Sequence, residues 1–460
     1  MIIRDGLLAL PGLAEPSRAD LRVRGGRIAE IAPGLLPEPG EEVIDARGLL
    51  VLPGAIDPHV HFDEPGFTHR EDFLHGTSEA AKGGVTTVVD MPCTSLPPVT
   101  TAAAFDNKLA VVSKSAIVDY AFFGGVSGHT AGASLSGGMA ELAARGVVGF
   151  KCYFISGMET FTRVTHDDFA RILREAEAVG RPVLLHAEDL DYVTAATARV
   201  KAARGAEAPS WMDYALSRDD AAETVAVASA LALATGREEV LHVVHVGSAA
   251  AARLLAASKA SCETCAHYLA FSRDDFDGVA GRRALGASLK TAPVVKGRGE
   301  AEALWKLLAA GGVDFVASDH APAPPEEKNT GNPWTAYGGI PGTGTMLPYL
   351  LSEGWFAGRL SLPRFLDAIA GAAARRYGLS ARKGSLEAGK DADLVLVDPA
   401  TTTTVRGAEL LSKGHITPFE GMELKGRIAA TYVRGRPVYR DRSGICAEPG
   451  SGRFLRWGYR

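Results

Sequence analysis

Between residues 51 and 377, apolar runs of strand length alternate with alanine-rich amphipathic stretches, and this alternation restricts the chain more than any other feature. The strand-like runs include Thr86–Val89, Val147–Phe150, Val183–Leu185, Val240–Val244 and Val313–Ala317. Stretches of helical period such as Asp167–Ala178 and Ala221–Ala234 lie between them. Strands that alternate with helices predict an α/β architecture built on a parallel sheet. Repetition over about 300 residues points to a (β/α)8 barrel of the TIM type, although an open doubly wound sheet has the same local pattern. Residues 1–52 read instead as short strands between Gly and Pro turns, at Leu7–Leu10, Asp20–Val23, Arg27–Ile31 and Glu42–Ile44. That texture returns from Gly384, with Asp393–Val397 and Ile428–Arg434. The expected organisation is a catalytic barrel over residues 53–378 and a small β-sandwich domain assembled from both ends, 1–52 and 379–460.

Composition removes several classes of function. With 46% hydrophobic residues the chain is too apolar to be disordered. Its formal net charge of −5, with no basic stripe, argues against a nucleic-acid partner. No apolar run reaches the roughly 18 residues of a membrane span. The first residues place Arg4 and Asp5 before only a short apolar stretch, which is not the pattern of a secretion signal. Cys93, Cys152, Cys262, Cys265 and Cys446 are an odd, scattered set rather than a disulfide framework. A cytoplasmic chain is expected.

Five apolar runs end in, or run into, a side chain able to bind metal. Ile56 leads into Asp57-Pro58-His59-Val60-His61, and Val147–Phe150 leads into Lys151. Val183–Leu185 ends in His186, Val243-Val244 in His245, and Val316–Ser318 in Asp319. In a (β/α) barrel the strand ends share one face, so these groups would converge. His59 and His61 are two residues apart and share one face of a strand. Taken singly, each has a plainer reading: a His beside a strand is often a hydrogen-bonded structural residue, a strand-end Lys a solvated charge, and Asp319-His320 a turn. Together they supply enough nitrogen and oxygen ligands for two divalent ions, zinc above all.

The motifs Asp57–Phe62, Gly149-Phe150-Lys151, Leu185-His186-Ala187-Glu188, Val244-His245-Val246 and Ser318–Pro322 resemble those of the amidohydrolase superfamily. They are similar to its cyclic-amidohydrolase branch of allantoinases, dihydroorotases and hydantoinases, and Ala388–Val395 resembles the branch's small β-domain. The resemblance implies that His59, His61 and Asp319 hold one zinc, that His186 and His245 hold a second, and that Lys151 bridges them as an N6-carboxylysine. An ammonium cannot ligate zinc, whereas a carboxylated lysine offers two anionic oxygens. It also implies that Asp319 shuttles a proton from the attacking water to the leaving amide nitrogen, and that the chain is a homo-oligomer, a dimer or tetramer. His242 is three residues before His245, so it is expected to face away from it as a structural residue. His69, His75, His129, His166 and His415 are expected in structural or surface roles, and His267 lies in a stretch, Glu263–Tyr268, that resembles a barrel-rim motif.

Departures from the branch bear on the ring that is opened. Dihydroorotases hold a substrate carboxylate with an arginine, an asparagine and a histidine at places where this chain has Asp63, Cys93 and Ala323. Thr291-Ala292-Pro293 also stands where an asparagine would precede the proline. An anionic substrate needs a paired cation once desolvated, and an aspartate repels it. A neutral cyclic ureide needs no such clamp, and His61–Gly66 resembles the allantoinase form. The expected substrate is therefore a small cyclic amide, first allantoin opened to allantoate. Next come a hydantoin or dihydropyrimidine, or another imide, then dihydroorotate; a non-enzymatic scaffold relative is the remaining alternative. Expected substrate contacts are Asp63, Cys93, Thr291, Ala292, Ala323, Gly339, Pro341 and Gly342, with the Pro341–Thr345 backbone approaching the ring.

Overall fold

The computed structural model describes residues 1–278 and 283–460. The first five strands are β1 (Ile2–Leu8), β2 (Ser17–Arg24), β3 (Arg27–Ala32), β4 (Val43–Asp45) and β5 (Leu50–Pro53). The barrel strands are β6 (Ala55–Val60), β7 (Val85–Asp90), β8 (Asp119–Phe122), β9 (Gly124–Gly125), β10 (Phe150–Tyr153), β11 (Val183–His186), β12 (Leu241–Val243), β13 (Ser261–Cys265) and β14 (Phe315–Ala317). Every pairing among these barrel strands is parallel. Only Phe123 separates β8 from β9, so the two fill one strand position. A parallel bridge between Val60 and His320 joins β14 back to β6. His61 N–H donates to the His320 carbonyl at 2.8 Å in the same link.

Residues buried on both faces suit strands covered by helices, and β6, β7, β10 and β11 are buried throughout. The helices carry the complementary stripe. His166–Ala178 starts at Thr165, whose side chain caps Asp168 N–H, and buries Phe169, Ile172, Leu173 and Ala176. Phe73–Lys82 begins in the same way at Asp72. The strand of the expected run Val147–Phe150 begins at Phe150, although Val148 N–H already donates to the Phe122 carbonyl and the Gly149 carbonyl accepts from Gly124 N–H.

The remaining strands are β15 (Leu394–Thr404), β16 (Glu423–Val433), β17 (Arg436–Arg440) and β18 (Gly444–Ile445). They join β1–β5 in one nine-stranded sheet through the antiparallel β5–β15 pair. The two chain ends are thus hydrogen-bonded neighbours. The last residues return to the barrel, where Leu455 N–H donates to the Tyr120 carbonyl at 2.7 Å and Phe454 packs on Phe105, Tyr120 and Phe122.

A buried charge cluster ties sheet and barrel together. Lys383 Nζ lies 2.6 Å from Asp119, 3.0 Å from Asp391 and 2.7 Å from Asp393. Arg434 pairs with Asp119, and Arg382 with Asp391. Three clustered carboxylates could hold a cation, and the Lys383 ammonium already stands among them.

Candidate metal centre and its cavity

The C-terminal ends of the barrel strands meet as the sequence predicts for a barrel. His59, His61 and Asp319 bring their ligand atoms within 4.8 Å of one another. Asp319 Oδ1 is 3.3 Å from His59 Nε2 and 3.4 Å from His61 Nε2. His186 Nδ1 stands 3.0 Å from His245 Nε2. Lys151 projects from β10 on the same side as Tyr153, its Nζ 4.9 Å from the Tyr153 ring centroid. Two of these residues are backbone-strained: His245 has φ 41° and Asp319 φ 49°. Left-handed conformations of this kind cost residues with a Cβ roughly 1–3 kcal/mol and collect at functional sites.

Several buried polar atoms here have no partner: His59 Nε2, His245 Nδ1 and Lys151 Nζ. A buried ammonium or imidazole nitrogen left unpaired is costly, and a ligand that accepts such groups removes the cost. Desolvation, with the Lys151 charge adding to it, holds His59 and His245 well below the ordinary imidazole range, so both are neutral rings able to ligate. Burial likewise lowers Lys151 from the usual lysine range. Against its own desolvation, the surrounding imidazoles, with the His61 hydrogen bond among them, hold Asp319 well below the usual carboxylate range. The donor set of four imidazoles, one carboxylate and one unpartnered lysine fits a pair of divalent ions.

Two residues that no sequence motif singled out for a role complete the surroundings. Glu263, inside β13, places Oε1 2.5 Å from His59 Nδ1 and Oε2 3.2 Å from His242 Nε2. Arg218 holds Glu188, which faces His186 Nε2 at 3.0 Å. His242, expected to face away from His245, is a fully buried residue linked to His59 through Glu263.

Above the metal centre opens a cavity of about 770 Å³. Its floor includes His61, His186, His245 and Asp319; Phe67, Tyr153, Tyr214, Trp334 and Tyr337 form much of its wall. Of the expected substrate contacts, Cys93 and Ala292 line it, and Cys93 Sγ lies 3.1 Å from the Tyr153 hydroxyl.

The others lie behind the wall. Asp63 is fully buried with neither carboxylate oxygen hydrogen-bonded, and desolvation pushes it up to about 7. The Thr291 carbonyl is taken by the Tyr214 hydroxyl. Ala323 packs against Gly414 instead. Gly339 has no room for a side chain, since a Cβ would come within 2.3 Å of the Ala321 carbonyl. Pro341 is buried, and the Gly342 and Thr343 N–H groups point at His320 Nδ1, 3.2 and 3.3 Å away. The Gly342 and Thr343 N–H groups thus serve His320, which follows Asp319. Arg70 pairs with Glu327 at 2.7 Å between the Phe67 and Tyr337 rings, and Glu64 accepts from Phe73 N–H at the start of a helix.

His267 is buried beside Tyr268 with Nε2 unpartnered, and desolvation lowers it to about 4. Between that value and the ordinary 6.5 the unfolded chain binds a proton that the folded chain does not, so stability rises with pH across this window and is lost as pH falls. His267→Gln is expected to remove roughly 3 kcal/mol of acid-dependent destabilisation, seen as a smaller fall in unfolding free energy from pH 7 to pH 4. An unchanged pH slope would contradict the assignment of His267 as a buried neutral ring.

A barrel with a metal-capable centre at its strand ends, joined to a β-domain from both termini, is the architecture of a metal-dependent enzyme. The family model described as "Amidohydrolase family" matches residues 50–438, and the chain belongs to that family. It is 41% identical over 463 residues to an allantoinase of Rubrobacter xylanophilus, covering 99% of this chain and 97% of that one. It is 38% identical over 440 residues to a dihydroorotase of Halobacterium salinarum, covering 95% and 96%. The solved L-hydantoinase (dihydropyrimidinase) of Arthrobacter aurescens superposes with a TM-score of 0.92 at 30% identity, over 99% of each chain. The protein is an enzyme of the cyclic-amidohydrolase branch, a hydrolase of ring C–N amide bonds. Among the described residues no helix is long and apolar enough to cross a membrane.

Proposed function

We propose that the protein opens allantoin to allantoate, with His59, His61 and Asp319 holding one zinc, His186 and His245 the other, and a carboxylated Lys151 between them. The observation that carries a neutral ring over an anionic one is the state of the cavity's arginines. Arg70 is paired with Glu327, and Arg218 with Glu188 through contacts of 2.9 and 2.6 Å, so neither is free for a substrate carboxylate. The similarity to allantoinases supports the same choice. The hydantoinase fold match favours a 5-substituted hydantoin as the second reading.

Zinc ions held by these residues would supply Lewis acidity, lowering the pKa of a water and polarising the ring carbonyl. The chain's residues do the rest. Lys151, buried and without a partner, is held toward the neutral amine, the form that takes up carbon dioxide. Asp319 accepts the proton of the attacking water and returns it to the departing amide nitrogen, a poor leaving group while unprotonated. Cys93 and Ala292 are the predicted residues that remain as substrate contacts.

The reading places the barrel at residues 53–378 between two segments of the β-domain. It takes the active form as a cytoplasmic homo-oligomer, a dimer or tetramer; the absence of bridged cysteines among the described residues accords with a reducing compartment. The test is allantoin ring opening by protein stripped with a chelator and then given zinc and bicarbonate. Activity should vanish on stripping and return only with both additions. Full activity in stripped protein would overturn the metal assignment, and no ring opening after reconstitution would overturn the substrate.

A further inference from the structure

Two histidines of the candidate metal centre, His59 and His186, each face a buried carboxylate that stands outside it. Glu263 is fully buried in β13, 2.5 Å from His59 Nδ1 and 3.2 Å from His242 Nε2. His242 is fixed in turn by Ser261 Oγ at 2.8 Å from Nδ1. His59 therefore has one ring nitrogen engaged and leaves Nε2, without a partner, facing Asp319. His186 is arranged the other way round. Its Nε2 faces Glu188 at 3.0 Å, and its Nδ1 is left facing His245. A ring flip would exchange the two nitrogens of either histidine, and the carboxylate decides which one is presented.

We propose that Glu263 and Glu188 are positioning residues, each committing one histidine to present a single ring nitrogen, so that the two metal positions rest on separate clamps. The proposal depends on the two-metal reading above. The clamps differ in kind. Glu263 is braced by a neutral histidine deep in the barrel, whereas Glu188 is braced by Arg218, which also lines the cavity. Loss of one clamp should leave the other metal position intact.

The experiment uses the full chain as wild type, Glu263→Gln and Glu188→Gln, with zinc per chain measured by elemental analysis across a buffered zinc series. Cobalt(II) absorption spectra are recorded alongside. Each single variant should lose about 10- to 100-fold in affinity at one position and keep the other, and the double variant should weaken both. The one-cobalt spectra of the two variants should differ, because a different position stays filled in each. Thermal midpoints of the metal-free variants should match metal-free wild type, since a purely structural role would lower them. Two metals held at wild-type affinity in both variants, or losses that only track apo-protein stability, would overturn the proposal. If Glu263→Gln does not fold, His242→Gln removes only the outer brace and should weaken the same single position by less; unaltered affinity there counts against the clamp. A wild-type chain that holds no metal overturns the two-metal reading itself, and the proposal with it.

Discussion

Asp319→Asn should lower kcat by about 10²–10⁴-fold, the range for losing a general acid–base group, while the chain still folds and still takes up zinc. The carboxylate stands at the end of β14, held between the rings of His59 and His61 at 3.3 and 3.4 Å. Its strained backbone, φ 49°, is braced by Ser318 N–H donating to Asp57 Oδ1 at 3.0 Å and by His320, which takes the Gly342 and Thr343 N–H groups. Asparagine keeps the size and one oxygen ligand and loses the ability to carry a proton. Steady-state kinetics with zinc per chain measured on the same sample separates the two roles. Turnover above about a tenth of wild type with zinc bound would contradict the proton transfer, given the size expected for it.

Lys383→Met should lower the unfolding free energy by about 3–5 kcal/mol, as breaking a buried ion pair does. Lys383 is the common partner of Asp119, Asp391 and Asp393, and its side chain is 1% exposed. Its removal leaves Arg434 on Asp119 and Arg382 on Asp391 as the remaining side-chain cations, and Asp393 with a backbone N–H from Arg434. Asp119 opens β8, and Asp391 and Asp393 lead into β15, so the loss falls on the seam between barrel and sheet. Chemical denaturation should show the lowered midpoint, while kcat at temperatures where the variant is folded stays near wild type, because no cluster member lines the cavity. A loss under 1 kcal/mol would mean that the three carboxylates find other partners.

The strand–helix alternation and the strand-end histidines made much of this arrangement legible beforehand. Parallel barrel strands bury both faces, so they read as short apolar runs, and their ends carry the reactive groups. The helices expected at Asp167–Ala178 and Ala221–Ala234 lie at His166–Ala178 and Asp220–Leu233. Glu263 was obscured for a physical reason. A single carboxylate between Cys262 and Thr264 resembles any strand residue until the fold brings it to His59, 204 residues away in sequence. Arg218 lies just beyond a short helix, Trp211–Leu216, outside any motif, and gains its meaning only from Glu188.

The substrate wall was harder to read than the metal centre. Motif position alone does not say whether a side chain faces a cavity or packs behind it. Thr291 and Gly339 adjoin the lining residues Ala292 and Gly338, and Asp63 and Ala323 stand two residues from His61 and Ala321, yet none of the four lines the cavity. Charge still bears on the ring that fits, because Arg70 and Arg218 are neutralised by Glu327 and Glu188.

One cation on the wall stands apart from that pattern: Lys290, whose Nζ donates to the Ala336 carbonyl and lies 4.7 Å from the Tyr214 ring centroid. Burial and the nearby Arg218 lower it to about 8. The decisive measurement is therefore kcat/KM for allantoin and for dihydroorotate, taken side by side on zinc- and bicarbonate-loaded protein. The account predicts that allantoin is opened and dihydroorotate is left untouched. Efficient opening of dihydroorotate would contradict it and transfer the carboxylate contact to Lys290.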